Sequence, residues 1–255
     1  MRRLLAIIVP MVVALGLAGT HGSRADGHIS LSHPLGPASR VLPTVEPAQA
    51  AARRRPPLRF TLVDAAGAVV HRHRNGPVIG MIAGTTPLGT HSWAWALRVG
   101  PNHDWAQVVL PWRPNGRSGW IRLDGRLRIH TAYWVRADLS SRTVTLMKGR
   151  HPRIVFRAAV GAAGTPTPTG KFFVTDRVAT GDPYGPFGWF AFGLSGHQPN
   201  LPAGWSGGDQ LAIHGTNAPS SIGTAASAGC LRVSATALST LRRYLRLGTP
   251  VVIRH

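Results

Sequence analysis

The chain has 255 residues, 44% of them hydrophobic, and 29 lysines and arginines against 9 acidic residues give a formal charge of +20 at pH 7. That length accommodates two modest domains, and the acids, Glu46 and eight scattered aspartates, leave little for a calcium loop or a two-carboxylate glycosidase. The basic excess is arginine except for Lys148 and Lys171, and it implies either a polyanionic neighbour or no more than solubility with nonspecific attraction.

Met1-Arg2-Arg3, an apolar run from Leu4 to Gly19 and a small-residue stretch ending at Ala25 read as an export signal over residues 1–25. The run is shorter than the ~20 residues of a spanning helix, so an uncleaved anchor is the lesser alternative. Residues 26–57, rich in Pro, Ala and Arg, read as a linker. Residues 58–130 read as a small all-β domain. Its strands are expected at 60–63, 68–71, 93–99, 105–110 and 119–123, between turns such as Arg74-Asn75-Gly76 and Pro114-Asn115-Gly116. Five tryptophans (Trp93, Trp95, Trp105, Trp112, Trp120) either fill its core or offer a stacking platform. His71 and His73 share a face of an expected strand but lack a third ligand at recognisable spacing, so no metal and no cofactor are expected.

Residues 131–255 read as a second β-rich domain. A hairpin is expected over 134–138 and 143–147 and further strands over 153–160 and 171–175. The proline-alternating loop Gly164 to Gly170 and an irregular Gly/Pro/aromatic stretch over 180–208 complete this part. A short strand, 211–214, delivers His214 at its end. Leu238, Leu241 and Leu245 mark a helix with Ser234 as N-cap and Gly248 as stop, and 250–253 closes as a strand.

The chemistry concentrates in His214-Gly215-Thr216-Asn217 and Ser227-Ala228-Gly229-Cys230-Leu231-Arg232. A cysteine nucleophile needs a base and backbone donors for the oxyanion it creates, and glycine before Cys230 permits a turn that aims successive N–H groups one way. The residues alone leave two readings: a Cys/His acyl-transfer site, or an inert buried Cys230 with His214 at the surface. Tyr184, Phe187, Trp189, Phe190 and Phe192 are either a lid or the core of their own loop.

In the order Thr165-Pro-Thr-Pro-Thr-Gly170, Leu194-Ser-Gly-His197, Ile213-His-Gly-Thr-Asn217, Ser227-Ala-Gly-Cys-Leu-Arg232 and Gly248-Thr-Pro-Val-Val-Ile253, residues 131–255 resemble the L,D-transpeptidase catalytic domain of the YkuD type. The resemblance implies a mainly β fold, a C-terminal β-sandwich with a short helix preceded by the small all-β module. It makes Cys230 the nucleophile, His214 its base and Gly215 the carbonyl that orients the imidazole. The N–H groups of Gly229 and Cys230 become the oxyanion hole, and Ser227, Arg232, His197, Tyr184 and Asn217 substrate contacts. The implied protein is an exported monomer of the cell wall that joins peptidoglycan stem peptides through their third residues and is blocked by carbapenem-type β-lactams. Anionic wall polymer is its partner by charge, and no specific nucleic acid is expected. Hydrolysis by the same site, or wall binding without catalysis, are the alternatives. Ala228 stands where the family usually has histidine.

Overall fold

Valine, isoleucine, threonine and tryptophan dominate the short runs between glycine-containing turns, and such residues suit a pleated, half-buried surface. The computed structural model describes residues 56–201, 203–206 and 208–255, so the expected signal segment and nearly all of the expected linker lie outside the described residues. In chain order the strands are β1 (Phe60–Asp64), β2 (Val69–His71), β3 (Val78–Met81), β4 (Trp93–Val99), β5 (Trp105–Val109), β6 (Ser118–Arg122) and β7 (Arg128–Thr131). They continue with β8 (Tyr133–Asp138), β9 (Thr143–Lys148), β10 (His151–Arg157), β11 (Val160–Gly161), β12 (Gly170–Ala179), β13 (Phe190–His197) and β14 (Gln210–His214). The last are β15 (Ala225–Ser227), β16 (Leu231–Arg232) and β17 (Pro250–Arg254), with one α-helix, α1 (Ala235–Tyr244), before β17.

The architecture is mainly β. The first seven strands make one antiparallel sheet in the order β3-β2-β6-β5-β4-β1-β7. Eight others make a mixed sheet, β10-β9-β8-β17-β12-β13-β14-β16, in which β17 runs parallel to β8 and β16 parallel to β14. β11 and β15 pair separately.

Because successive strand residues face opposite sides, β12 serves two cores at once. Phe172 and Val174 enter the core formed with Phe192, Ile213, Leu231 and the helix. Phe173, fully buried, joins the cluster of Val63, Ala94, Val108 and Ile121 from the first sheet. A polar contact reinforces the junction: Thr86 donates to the buried Asp176 carboxylate at 2.5 Å. In the helix, Leu238 and Leu241 are fully buried and the Ser234 hydroxyl accepts the Ala237 N–H at 3.2 Å, an N-cap as expected.

Several expectations need correction. β3 and β7 are strands that the sequence did not announce; β3 follows Pro77 and exposes Val78 and Met81, and β7 alternates Arg and His with Ile and Thr. His73 lies beyond the end of β2 and does not share a strand face with His71. The strand expected to reach Val160 stops at Arg157, and Val160 opens β11 instead. The 180–208 stretch is not irregular throughout, because it holds β13 at the middle of the second sheet. Its glycines mark close packing: a methyl group at Gly196 would lie 2.6 Å from the Phe172 ring, and one at Gly193 2.8 Å from Asp176 Oδ2. The helix ends at Tyr244, before Gly248. Of the tryptophans, Trp95 and Trp105 are buried, and Trp93, Trp112 and Trp120 half-buried.

Phe173 tests whether the two sheets stand or fall together. Truncating a buried phenylalanine costs about 3–5 kcal/mol, so Phe173→Ala should lower the stability of the whole 56–255 region in a single unfolding transition followed by circular dichroism and tryptophan fluorescence. Separate transitions, with only one displaced, would show the shared core to be energetically unimportant.

Candidate active site

The site grows from the parallel pairing of β14 with β16. Ile213 faces Leu231 and His214 faces Arg232, so Cys230, one residue before β16, comes level with Ala212. Residues two apart on a strand share a face, which puts Ala212 and His214 on the side where Cys230 emerges. His214 and Cys230 both line a cavity of about 410 Å³, whose walls also include Phe187, Trp205, Gln210, Leu211 and Arg232. Pockets of this size commonly accept small molecules or peptide segments.

His214 is 3% exposed, the reverse of the surface histidine one reading allowed, while Cys230 is half-buried. The imidazole Nδ1 lies 2.6 Å from the Gly215 carbonyl. A carbonyl only accepts, so the proton sits on Nδ1 and Nε2 keeps its lone pair. Phe187 meets the ring edge-on, 4.9 Å between centroids. Gly188 reinforces this contact, since a methyl group there would fall 2.7 Å from Gly215 Cα. Burial pushes the His214 pKa down to about 4; the Gly215 carbonyl opposes this and the Arg232 cation adds to it. Burial also pushes the Cys230 thiol up, and the Ala212 N–H and Arg232 pull partly back. At neutral pH the pair is therefore a neutral base and a protonated thiol. The thiol rests 3.9 Å from the Gln210 carbonyl, so it must turn toward Nε2 for its proton to pass to the imidazole as sulfur attacks a carbonyl, without a standing ion pair.

The turn around Cys230 is held by Ser227, whose hydroxyl donates to the Cys230 carbonyl at 2.6 Å and accepts the Gly229 N–H at 3.1 Å. Two expectations change here. The Ser227 hydroxyl borders the cavity but is committed to the turn, so it is a shaping group and not a free substrate contact. The Gly229 N–H is equally engaged, whereas the Cys230 N–H has no acceptor among the described residues. Gly229 has φ +115°, a conformation that suits glycine.

Arg232 lines the cavity, and its Nε is buried without a hydrogen-bond partner among the described residues. The other expected contacts are not gathered there. Tyr184 is 87% exposed and outside the cavity lining, Asn217 is exposed and outside it too, and His197 faces the first sheet with its ring between Asp209 and the Pro111 carbonyl. The aromatic stretch divides: Phe190 and Phe192 are core, Trp189 packs against it, and Phe187 covers the histidine. Gln198, Asp209, Gln210 and Trp205 line the cavity without having been anticipated. Only the position of Gln198, directly after the Leu194-Ser-Gly-His197 element, hinted at a role.

Comparison with known proteins places the second half of the chain. Residues 132–253 match the family model YkuD, the L,D-transpeptidase catalytic domain. Proteins named "Putative L,D-transpeptidase YkuD" from Bacillus subtilis (strain 168) and Bacillus licheniformis are 33% and 34% identical over 121 residues, 48% of this chain. The chain spans 65% of the length of each of these relatives. Among solved structures, an L,D-transpeptidase from Mycobacterium smegmatis is 15% identical with a TM-score of 0.40, covering 79% of this chain and 100% of that one. L,D-transpeptidase 3 from Mycobacterium tuberculosis, in complex with a faropenem-derived adduct, is 16% identical with a TM-score of 0.38, covering 56% of this chain and 76% of that one.

The buried histidine carries a stability signature. With a folded pKa near 4 against about 6.5 when unfolded, the unfolded chain binds the extra proton first as pH falls, so stability is lost between those values. The loss is on the order of 3 kcal/mol from pH 7 to pH 4. Urea unfolding at both pH values should show wild type losing that much more than His214→Gln; equal losses would mean that the imidazole takes up its proton in the fold as readily as in the unfolded chain.

Proposed function

We propose that residues 132–253, which belong to the L,D-transpeptidase catalytic domain family, act as an exported cysteine acyltransferase on peptidoglycan stem peptides. The observation that carries this reading is a thiol and a neutral, tautomer-locked imidazole lining one cavity. Cys230 attacks the carbonyl between the third residue of a stem tetrapeptide and its terminal D-alanine. The thiol proton passes to His214 Nε2, and the oxyanion develops beside the Cys230 N–H. Collapse of the tetrahedral intermediate breaks the peptide C–N bond, the D-alanine amine takes the proton back from His214, and a thioester remains on Cys230. The side-chain amine of a second stem, giving its proton to His214, then displaces the thiol and forms the bond between third residues. Water in place of the amine gives a tripeptide, the carboxypeptidase outcome of the same site.

Arg232 supports the assignment electrostatically. Its cation lowers the Cys230 pKa against the effect of burial and so eases thiolate development during attack. The missing histidine at Ala228 leaves His214 as the base nearest the motif, which makes its removal a sensitive test. The +20 charge fits an anionic envelope as the working environment.

Purified protein incubated with tetrapeptide-bearing muropeptides should yield crosslinked dimers by mass spectrometry; tripeptides alone would make it a carboxypeptidase, and unchanged substrate would defeat the enzyme reading. Carbapenem should leave an intact-mass adduct on wild type, none on Cys230→Ala, and form it at least ~100-fold more slowly on His214→Ala. Binding to wall sacculi should survive Cys230→Ala within about twofold and weaken when salt is raised from about 0.05 to 0.5 M, because screening acts on the arginines and not on the thiol.

A further inference from the structure

Asn115 sits in the turn between β5 and β6 of the first sheet, yet its carboxamide serves the backbone of the second. It donates to the His197 carbonyl at 2.7 Å and accepts the His197 N–H at 2.8 Å, filling both backbone groups as a neighbouring strand would. The His197 ring is fixed from the same side, with Nε2 3.2 Å from the Pro111 carbonyl and Nδ1 3.1 Å from Asp209, which also pairs with Arg113. The end of β13 is therefore held by the 111–115 turn.

The next residue carries the restraint onward. Gln198 is 4% exposed, and its Nε2 donates to the carbonyls of Ala228 at 3.1 Å, Pro166 at 3.0 Å and Thr165 at 3.2 Å, while its Oε1 accepts the Asn200 N–H at 3.1 Å. The amide also fills the space over Gly229, where an added methyl group would collide with it. A peptide unit is planar, so the Ala228–Gly229 peptide is fixed at both ends: its carbonyl by Gln198 and its N–H by the Ser227 hydroxyl. The following N–H, that of Cys230, belongs to the next peptide unit, which is joined to this fixed one through the backbone of Gly229 and followed by a Cys230 carbonyl held by the Ser227 hydroxyl.

We propose that Asn115 and Gln198 are positioning residues for the nucleophile turn, and that the first sheet, through them, holds the Cys230 N–H where an oxyanion develops. The inference rests on the acyl-transfer reading above and gives the small β module a catalytic purpose separate from any wall binding. The side chains touch no reacting atom. Their effect should appear where an oxyanion forms and vanish where none does.

The test compares wild type with Gln198→Met, which keeps length and loses the N–H donors, and with Asn115→Ala, a milder change from the other end of the relay. For each, carbapenem acylation is resolved into its initial binding constant and acylation rate constant, and alkylation of Cys230 by iodoacetamide, which creates no oxyanion, is timed alongside. Loss of a whole oxyanion donor costs about 10²–10³ in rate, so a misdirected one should cost roughly tenfold or more in Gln198→Met and less in Asn115→Ala. Alkylation should stay within about twofold in both variants, and initial binding in Asn115→Ala, because Asn115 is outside the cavity lining. Hydrogen exchange at the Gly229 amide, bonded to the Ser227 hydroxyl, should speed up in both variants. Unchanged acylation and exchange in both variants, or acylation and alkylation falling together, would overturn the proposal; an effect confined to Gln198→Met would overturn the part assigned to the first sheet. If wild type is alkylated normally but never acylated, the acyl-transfer reading fails and the catalytic purpose with it, while faster exchange in the variants would still support the mechanical link.

Discussion

Two residue pairs of parallel strand, Ile213 with Leu231 and His214 with Arg232, hold the candidate active site together. Parallel strands cannot be joined by a tight turn, and here the chain between them leaves the sheet, forms β15 beside β11, and returns through the Ser227–Cys230 turn. The connection thus serves as more than a crossover, because its last turn carries the thiol. A slip of one residue in this register would turn Cys230 to the opposite face from His214. The completely buried Ile213 and the 1% exposed Leu231 make such a slip costly, since it would carry apolar side chains out of the core.

The same burial that fixes the register also sets the proton inventory. Desolvation disfavours both charged forms, imidazolium and thiolate, and the Arg232 cation acts in opposite senses on the two groups' readiness: it resists a proton on His214 and favours its loss from Cys230. The resting state is therefore uncharged at the reacting atoms, with the Gly215 carbonyl choosing which nitrogen carries the hydrogen. A thiol held in this way has little standing thiolate, so its proton must leave as it reacts. Oxidation follows thiolate character, so a protonated thiol is also held back from oxidation.

Much of this was legible in the chain. Alternation and turn residues placed most strands within a residue or two, and the histidine–cysteine motif identified the two groups that the fold brings to one cavity. What the sequence concealed depends on contacts distant along the chain. β13 looked irregular because Gly193 and Gly196 interrupt its pattern, and their small size answers to Asp176 and Phe172 on β12. The commitment of Ser227 and of the Gly229 N–H to each other follows from the local turn geometry, which no spacing rule conveys. His197 looked like a cleft residue from its motif, but a neighbouring sheet that the motif does not describe claims both its ring and its backbone. Gln198 was overlooked for a related reason: a single glutamine has no pattern until three carbonyls from two distant loops converge on it.

The backbone contact between Gly188 and Gly215 joins the wall of the cavity to the base. Gly215 supplies the carbonyl that locks the histidine tautomer, and its Cα rests directly against the segment that carries Phe187 over the ring. Neither glycine has room for a side chain, so no flexible group cushions one segment from the other. Lifting the Phe187 segment would remove packing from the very peptide that orients the base. The cavity wall and the orientation of the imidazole are thereby linked, because the segment that carries Phe187 and the peptide that locks the His214 tautomer pack backbone against backbone.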